Sequence, residues 1–298
     1  RAGARPDLDL DFARTKSLVD RVSKEELVTF HRTTGGSRAA TYIDENGLVK
    51  RASHNLLTAS HNIGGLNWND FFSSGTNSNL VVTENNGIAP DGTLTATKLV
   101  FTSGDVQDAY TIIQQNLGSA VQSGEILVWS VYLKSAAANG IDQTIQMSID
   151  GSHLRTVTAT NEWQRFELRG AVNNPVPRIS IRTGTSPAHL NGPDSNGNYT
   201  NITRSVFAWG AQAEKVNTGT NGLVTGVASE LIKTTTQGRG APRFTHDPKT
   251  LESRGLLVEH GGVNLVTFPR NSNGFWQTAK STTDSNGTNP DGSTPAYH

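Results

Sequence analysis

Cysteine is absent from this 298-residue chain, and methionine occurs once, at Met147. Without thiols there is no disulfide scaffold, no thiolate metal site and no cysteine nucleophile. Charge is scarce as well: 17% of residues are Asp, Glu, Lys or Arg, with 26 basic side chains balancing 26 acidic ones. A neutral chain without a basic stripe lacks the phosphate-neutralising charge that dominates nucleic-acid affinity. No apolar run approaches the roughly 18–20 residues needed to cross a bilayer. Residues 1–6 contain no apolar stretch of the signal-peptide kind. The eight histidines show no i, i+4 pairing of the metal-binding kind. There is no Gly-x-Ser-x-Gly elbow and no phosphate-binding glycine loop. These absences lead to the expectation of a non-enzyme without cofactor, nucleic-acid partner or membrane span. The lone internal methionine and the start at Arg1 lead to the further expectation that residues precede Arg1.

What remains is rich in Thr, Asn, Ser and Gly, and the hydrophobic fraction of 34% is below that of an ordinary globular domain. Helical periodicity is confined to 11–27, where a short helix starting near Ser17 or Asp20 is expected. Residues 38–50 read as a hairpin turning at Asn46-Gly47. Beyond them, strands are predicted at 80–83, 97–102, 110–116, 125–134, 143–150, 155–159, 164–170, 178–183 and 205–214. The run 126–133 is apolar at nearly every position and predicts a central strand. In 143–150, Ile145, Met147 and Ile149 point one way and Gln146 and Ser148 the other. Short strands at intervals of about ten residues predict a mainly β fold: an antiparallel, jelly-roll-like β-sandwich with a small N-terminal anchoring segment. The expected division is 1–54 as that anchoring or oligomerisation segment, 55–216 as the sandwich and 217–254 as a connector. Residues 255–298 would then begin a second module.

That last expectation rests on an ordered partial repeat. Gly47-Leu48-Val49, Asn55-Leu56-Leu57-Thr58, Trp68 and Pro90-Asp91-Gly92-Thr93 return as Gly255-Leu256-Leu257-Val258, Asn264-Leu265-Val266-Thr267, Trp276 and Pro290-Asp291-Gly292-Ser293. A sandwich cannot close on its first strands, so the second copy predicts a longer chain.

Candidate sites follow from side-chain chemistry. Trp129, Trp163 and Trp209 sit among apolar neighbours and read as core. Trp68, flanked by Asn67, Asn69 and Asp70, and Tyr110 are the candidates for stacking on a sugar. Asp194, Asn196 and Asn198 place oxygen ligands at alternate positions, as a hard cation such as calcium requires, in a stretch that also reads as a plain surface loop. Asp7, Asp9 and Asp11 read as a solvated strand face or a contact to a partner subunit. Glu125, Asp150 and Glu162 show no spacing that pairs them for glycoside hydrolysis.

The segments Asp7-Leu8-Asp9-Leu10-Asp11-Phe12-Ala13, Thr29-Phe30-His31-Arg32 and Ala40-Thr41-Tyr42-Ile43-Asp44-Glu45-Asn46-Gly47 form one part of a recognisable order. Pro242-Arg243-Phe244-Thr245-His246-Asp247-Pro248 and Gly255-Leu256-Leu257-Val258-Glu259 complete it. This order resembles bacteriophage virion proteins of the tail-fibre, tail-spike and head-fibre type; Gly262-Val263 stands where the pattern usually has Arg-Thr before Asn-Leu. The middle resembles a carbohydrate-binding-module sandwich. Its markers are Gln114-Gln115-Asn116, Trp129-Ser130-Val131-Tyr132-Leu133-Lys134, Glu162-Trp163-Gln164-Arg165 and 208–214. The resemblance implies a structural component of a phage particle, located in the virion. It would be the virion-proximal part of a fibre or spike linking the particle to a distal host-binding region. Implied partners are other virion proteins of tail, neck or capsid, host-surface glycans, and further copies of itself, with a trimer favoured. A capsid-decorating, cement or head-fibre protein and a glycan-binding module of a receptor-binding spike remain alternatives.

Overall fold

The computed structural model describes residues 8–24, 28, 40–72, 78–106, 109–183, 201–216 and 227–258. Asp7, the calcium candidates Asp194, Asn196 and Asn198, and the repeat beyond 258 lie outside them.

The chain opens with α1 (Phe12–Thr15), then β1 (Thr41–Ile43), β2 (Val49–Arg51) and β3 (His54–Asn55). Next come β4 (Trp68–Phe72), β5 (Asn79–Gly87), β6 (Ala96–Thr102), β7 (Thr111–Asn116) and β8 (Ile126–Ser135). They are followed by β9 (Gln143–Ile149), β10 (His153–Ala159), β11 (Gln164–Ala171), β12 (Arg178–Arg182) and β13 (Thr203–Lys215). Three short strands finish the described chain: β14 (Arg239–Gly240), β15 (Phe244–His246) and β16 (Ser253–Leu256).

Two five-stranded antiparallel sheets, ordered β10-β9-β12-β7-β4 and β11-β8-β13-β6-β5, form the β-sandwich. The chain passes back and forth between them, in the interleaved manner of jelly-rolls. One apolar layer lies between the sheets. Ile113, Ile145, Met147, Ile149, Ile179 and Ile181 meet Leu99, Phe101, Leu127, Trp129, Val131 and Leu133 there. The alternation in β9 is as the sequence predicts, and β8 is central, between β11 and β13. Each predicted strand from 80 to 214 is present with small shifts at its ends. β4, at the sheet edge, was not predicted.

β13 changes parity along its length. Val206 and Ala208 are core residues, and so are Ala211 and Ala213, so one extra residue sits between the two pairs. The register shifts between Trp209 and Gln212, and Gly210 takes φ +66 at that bulge. A Cβ on Gly210 would stand 3.0 Å from both Leu231 and Tyr132. Gly210→Ala therefore combines backbone strain with crowding, and should lower stability by roughly 1–3 kcal/mol in chemical denaturation.

The connector expected at 217–254 is not an extended arm where it is described. The amide of Ala59 donates to Thr235 O at 2.6 Å, and Ser60 N donates to Thr234 O at 3.2 Å. Gln212 accepts from Ile232 N at 2.6 Å, and its Nε2 donates to the carbonyls of Ser229 and Glu230. Leu231 packs with Trp209, Tyr132, Trp163 and Phe207. Residues 227–235 thus lie over the outer face of the β8–β13 sheet. β16 runs across the expected boundary at 254/255 and pairs back onto β15. Polar Thr and Gly residues whose partners are distant backbone groups carry no periodicity, which is why they read as a linker.

The N-terminal segment also differs in detail. The helix begins at Asp11, whose carboxylate caps Arg14 N, and stops at Lys16 in the left-handed region, before either expected start. Asp9 and Asp11 do not share a strand face: Asp9 pairs with Arg21 at 2.9 Å and Asp11 with Arg14 at 2.7 Å. The predicted hairpin is present as β1–β2, with Gly47 at φ +76. Asp44 braces its turn by accepting from Asn46 N and Leu48 N, each at 2.9 Å. β15 joins β1 through Ile43 N donating to Thr245 Oγ1, while the Arg243 guanidinium donates to Thr41 O.

Two carboxyls make this architecture acid-sensitive. Amide hydrogen bonds from Ser23 and Asp9 bring the Asp20 carboxyl down from 3.8 to about 2. For Asp91, burial pushes upward, but hydrogen bonds from Lys233 and Thr93 prevail and bring it down to about 2. Both are depressed in the folded state, so the unfolded chain takes up these protons first as pH falls. Their contribution is complete above about pH 4–5 and fades toward pH 2. The thermal midpoint should fall in that window, and Asp91→Asn should make the fall shallower.

Candidate functional site

The two outer faces of the sandwich are unlike. On the β8–β13 side, Tyr132, Trp209, Phe207 and Trp163 pack with Leu231, and Lys233 lies 5.4 Å from the centre of the Trp209 ring. The buried Glu214 accepts from Ser229 N and Oγ and from Gln212 Nε2. That face is occupied by the chain itself. Trp129 lies in the core as read from its neighbours; Trp209 is buried in a separate outer cluster, and Trp163, read as core, is only partly buried against that cluster.

The β9–β12 side is built in cross-strand rows. Because Ile113, Ile145, Met147, Ile149, Ile179 and Ile181 point inward, the residues between them point outward. One row runs Leu154, Ser148, Ser180, Gln114 and Asn69, and the next runs Thr156, Gln146, Arg182, Ile112 and Phe71. Small serines on adjacent strands leave a floor between larger side chains. The resulting cleft of about 450 Å³ is lined by Phe71, Tyr110, Ile112, Gln114, Ser148, Asp150, Arg178, Ser180 and Arg182, among others.

The Phe71 and Tyr110 rings stand 6.2 Å apart at 29°, and Phe71 is 50% exposed. The Arg182 guanidinium lies 4.5 Å from the centre of the Tyr110 ring. Burial pushes the Arg182 pKa down from its ordinary value; the Tyr110 hydroxyl opposes that shift and the Arg178 charge adds to it. The guanidinium still remains charged at neutral pH. Asp150 sits in a left-handed turn at φ 56. Its carboxylate accepts the amides of Asn173, Asn174 and Arg178 at 3.1–3.3 Å.

Of the two sugar-stacking candidates, Tyr110 lines this cleft and Trp68 does not. Trp68 begins β4 with its side chain turned inward, is 7% exposed, and belongs to the sandwich core. Asn69 faces away from it, while the exposed Asp70 shares its side of the strand. Sequence reasoning passed over Phe71. The signal was the Phe71-Phe72 doublet: in a strand, adjacent residues face opposite ways, so one ring must point outward.

A second cleft, of about 510 Å³, lies in the N-terminal part between Tyr42, Asp44, Lys50, Phe244 and His246. Its charges answer one another, Lys16 with Glu45 at 3.5 Å and Lys50 with Asp44 at 4.0 Å. Glu125 is likewise engaged, 2.7 Å from Lys215.

No protein-family model and no curated protein matches the chain. Among solved structures, it is similar to a family 11 carbohydrate-binding module of Clostridium thermocellum in complex with a β-1,3-1,4-mixed-linked tetrasaccharide. That similarity has 12% identity, a TM-score of 0.35, and coverage of 56% of this chain and 96% of the module. The CBM22-1 xylan-binding domain of Paenibacillus barcinonensis Xyn10C gives 12% identity and a TM-score of 0.36, over 56% of this chain and 97% of that domain. The enzymatically active domain of bacteriophage CBA120 tailspike protein 4 gives 14% identity and a TM-score of 0.32, over 54% of this chain and 21% of that one. The likeness is weak in each case, and the reading of the cleft rests on its own residues.

Proposed function

We propose that the β9–β12 face binds oligosaccharide, and that the chain is a non-catalytic glycan-binding sandwich of a phage fibre or spike. The observation that carries the first part is the Phe71–Tyr110 pair beside a polar cleft on the outer face of the β9–β12 sheet, where Phe71 is half exposed above a buried floor of Ser148, Ser180 and Arg182. Sugars present apolar C–H faces and a rim of hydroxyls. A half-exposed ring platform serves the first, and the cleft residues Gln114 and Arg178 serve the second. The virion setting is supported by the ordered segments 7–13, 40–47, 242–248 and 255–259 in the sequence. In it, several copies at one site would convert weak individual contacts into firm attachment.

Calorimetric titration with neutral and acidic oligosaccharides tests the binding, and saturable heat from at least one class is expected. Absence of binding across both classes overturns it. Immunogold labelling of intact particles tests the setting, with label on fibres or spikes expected; label on the head surface would favour a decorating protein instead.

A further inference from the structure

Arg182 is the least explained residue of the cleft. It stands on the middle strand of its sheet and is 6% exposed, yet its Nε is buried without a hydrogen-bond partner. Buried arginines are ordinarily paired, because an isolated charge removed from water is costly. Arg165, Arg204 and Arg243 also bury an unpartnered Nε, but each gives other guanidinium hydrogens to protein acceptors, Arg204 to Thr203 O. Arg165 donates to Ser229 O and Ser130 Oγ, and Arg243 to Thr41 O. Arg182 has neither a hydrogen bond nor an ion pair among the described residues; its contact is the face of Tyr110.

The neighbouring charges sharpen the point. Arg178 lines the same cleft, so two guanidinium groups face it. The carboxylate lining it, Asp150, is committed to three backbone amides. Among the described lining residues two guanidinium groups therefore face one carboxylate, which leaves the cleft net positive beside the Phe71–Tyr110 pair.

We propose that the sugar seated here carries a carboxylate, so that the ligand is a uronate-containing oligosaccharide whose carboxylate pairs with Arg182. This rests on the glycan reading above. The Arg182 guanidinium, placed over the Tyr110 ring at 4.5 Å from its centre, is a planar fork of N–H donors, which suits two parallel hydrogen bonds to a carboxylate. Phe71 then takes the apolar face of the same or the adjoining sugar, and Arg178 strengthens the local field.

The test compares oligomers of galacturonate, alginate and hyaluronate with their carboxyl-reduced counterparts of equal length, alongside neutral xylo- and gluco-oligosaccharides. At least one uronate is expected to bind at least tenfold more tightly than its reduced form, with the margin shrinking as salt rises. Arg182→Gln should erase the margin while leaving residual affinity for the reduced oligomer. The wild-type comparison decides the matter even where that variant fails to fold. Equal affinity for the two forms, or binding of neutral oligosaccharides alone, overturns the carboxylate and leaves the glycan reading standing. No binding by any oligomer overturns both.

Discussion

Asn55→Ala is expected to lower the free energy of unfolding by about 4 kcal/mol. Asn55 is fully buried, and every hydrogen-bonding position of its side chain is used. Nδ2 donates to Ala211 O at 3.0 Å and to Ile232 O at 2.9 Å. Oδ1 accepts from Leu57 N and from Ala213 N, both at 3.1 Å. One side chain thus ties the approach to the sandwich, the end of β13 and the segment crossing its outer face. Alanine would strand backbone groups that water cannot reach, each worth about 1–3 kcal/mol before relaxation. Denaturant unfolding should show a lower midpoint. A loss under about 1 kcal/mol would mean that these contacts are not made, and with them the placement of residues 227–235 would fall.

Phe71→Ala should weaken oligosaccharide binding by roughly tenfold to hundredfold while leaving stability almost unchanged. Burying a phenylalanine ring against a ligand is worth about 1.5–3 kcal/mol, which converts to that range in Kd. The ring is half exposed on an edge strand, so its removal opens no cavity and should change stability by about 0.5 kcal/mol or less. Tyr110→Ala should cost a similar factor in affinity and some stability too, because Tyr110 supports Arg182; Tyr110→Phe keeps the ring and should keep most of the affinity. Unchanged affinity in Phe71→Ala, measured calorimetrically, would remove the platform from the account.

The sandwich was legible because its strands alternate. Ile145, Met147 and Ile149 announce an inward face, and the run 126–133, apolar at all but Ser130, announces a strand with neighbours on both sides. The bulge at Gly210 was not legible, since alanines at 208, 211 and 213 give no contrast that would locate a parity change. β4 was missed because an edge strand needs few apolar residues: Asn69 and Asp70 sit beside Trp68 and hide that its ring turns inward. Tyr110, a sugar-stacking candidate from its chemistry, lines the cleft. Phe71 and Arg182 become visible once β4, β7 and β12 lie side by side, and their juxtaposition spans more than a hundred residues of sequence. The acidic residues at 9 and 11 misled for a related reason: alternation implied a strand, whereas Arg14 and Arg21 draw each of them into a local turn.

The most direct test of the central claim is an NMR titration of the labelled protein with the tightest-binding oligosaccharide. Amide shifts should cluster on 69–71, 110–114, 146–150 and 178–182, the outer face of the β9–β12 sheet. Shifts centred instead on Tyr132 and Trp209, or on the cleft around Tyr42 and His246, would contradict it.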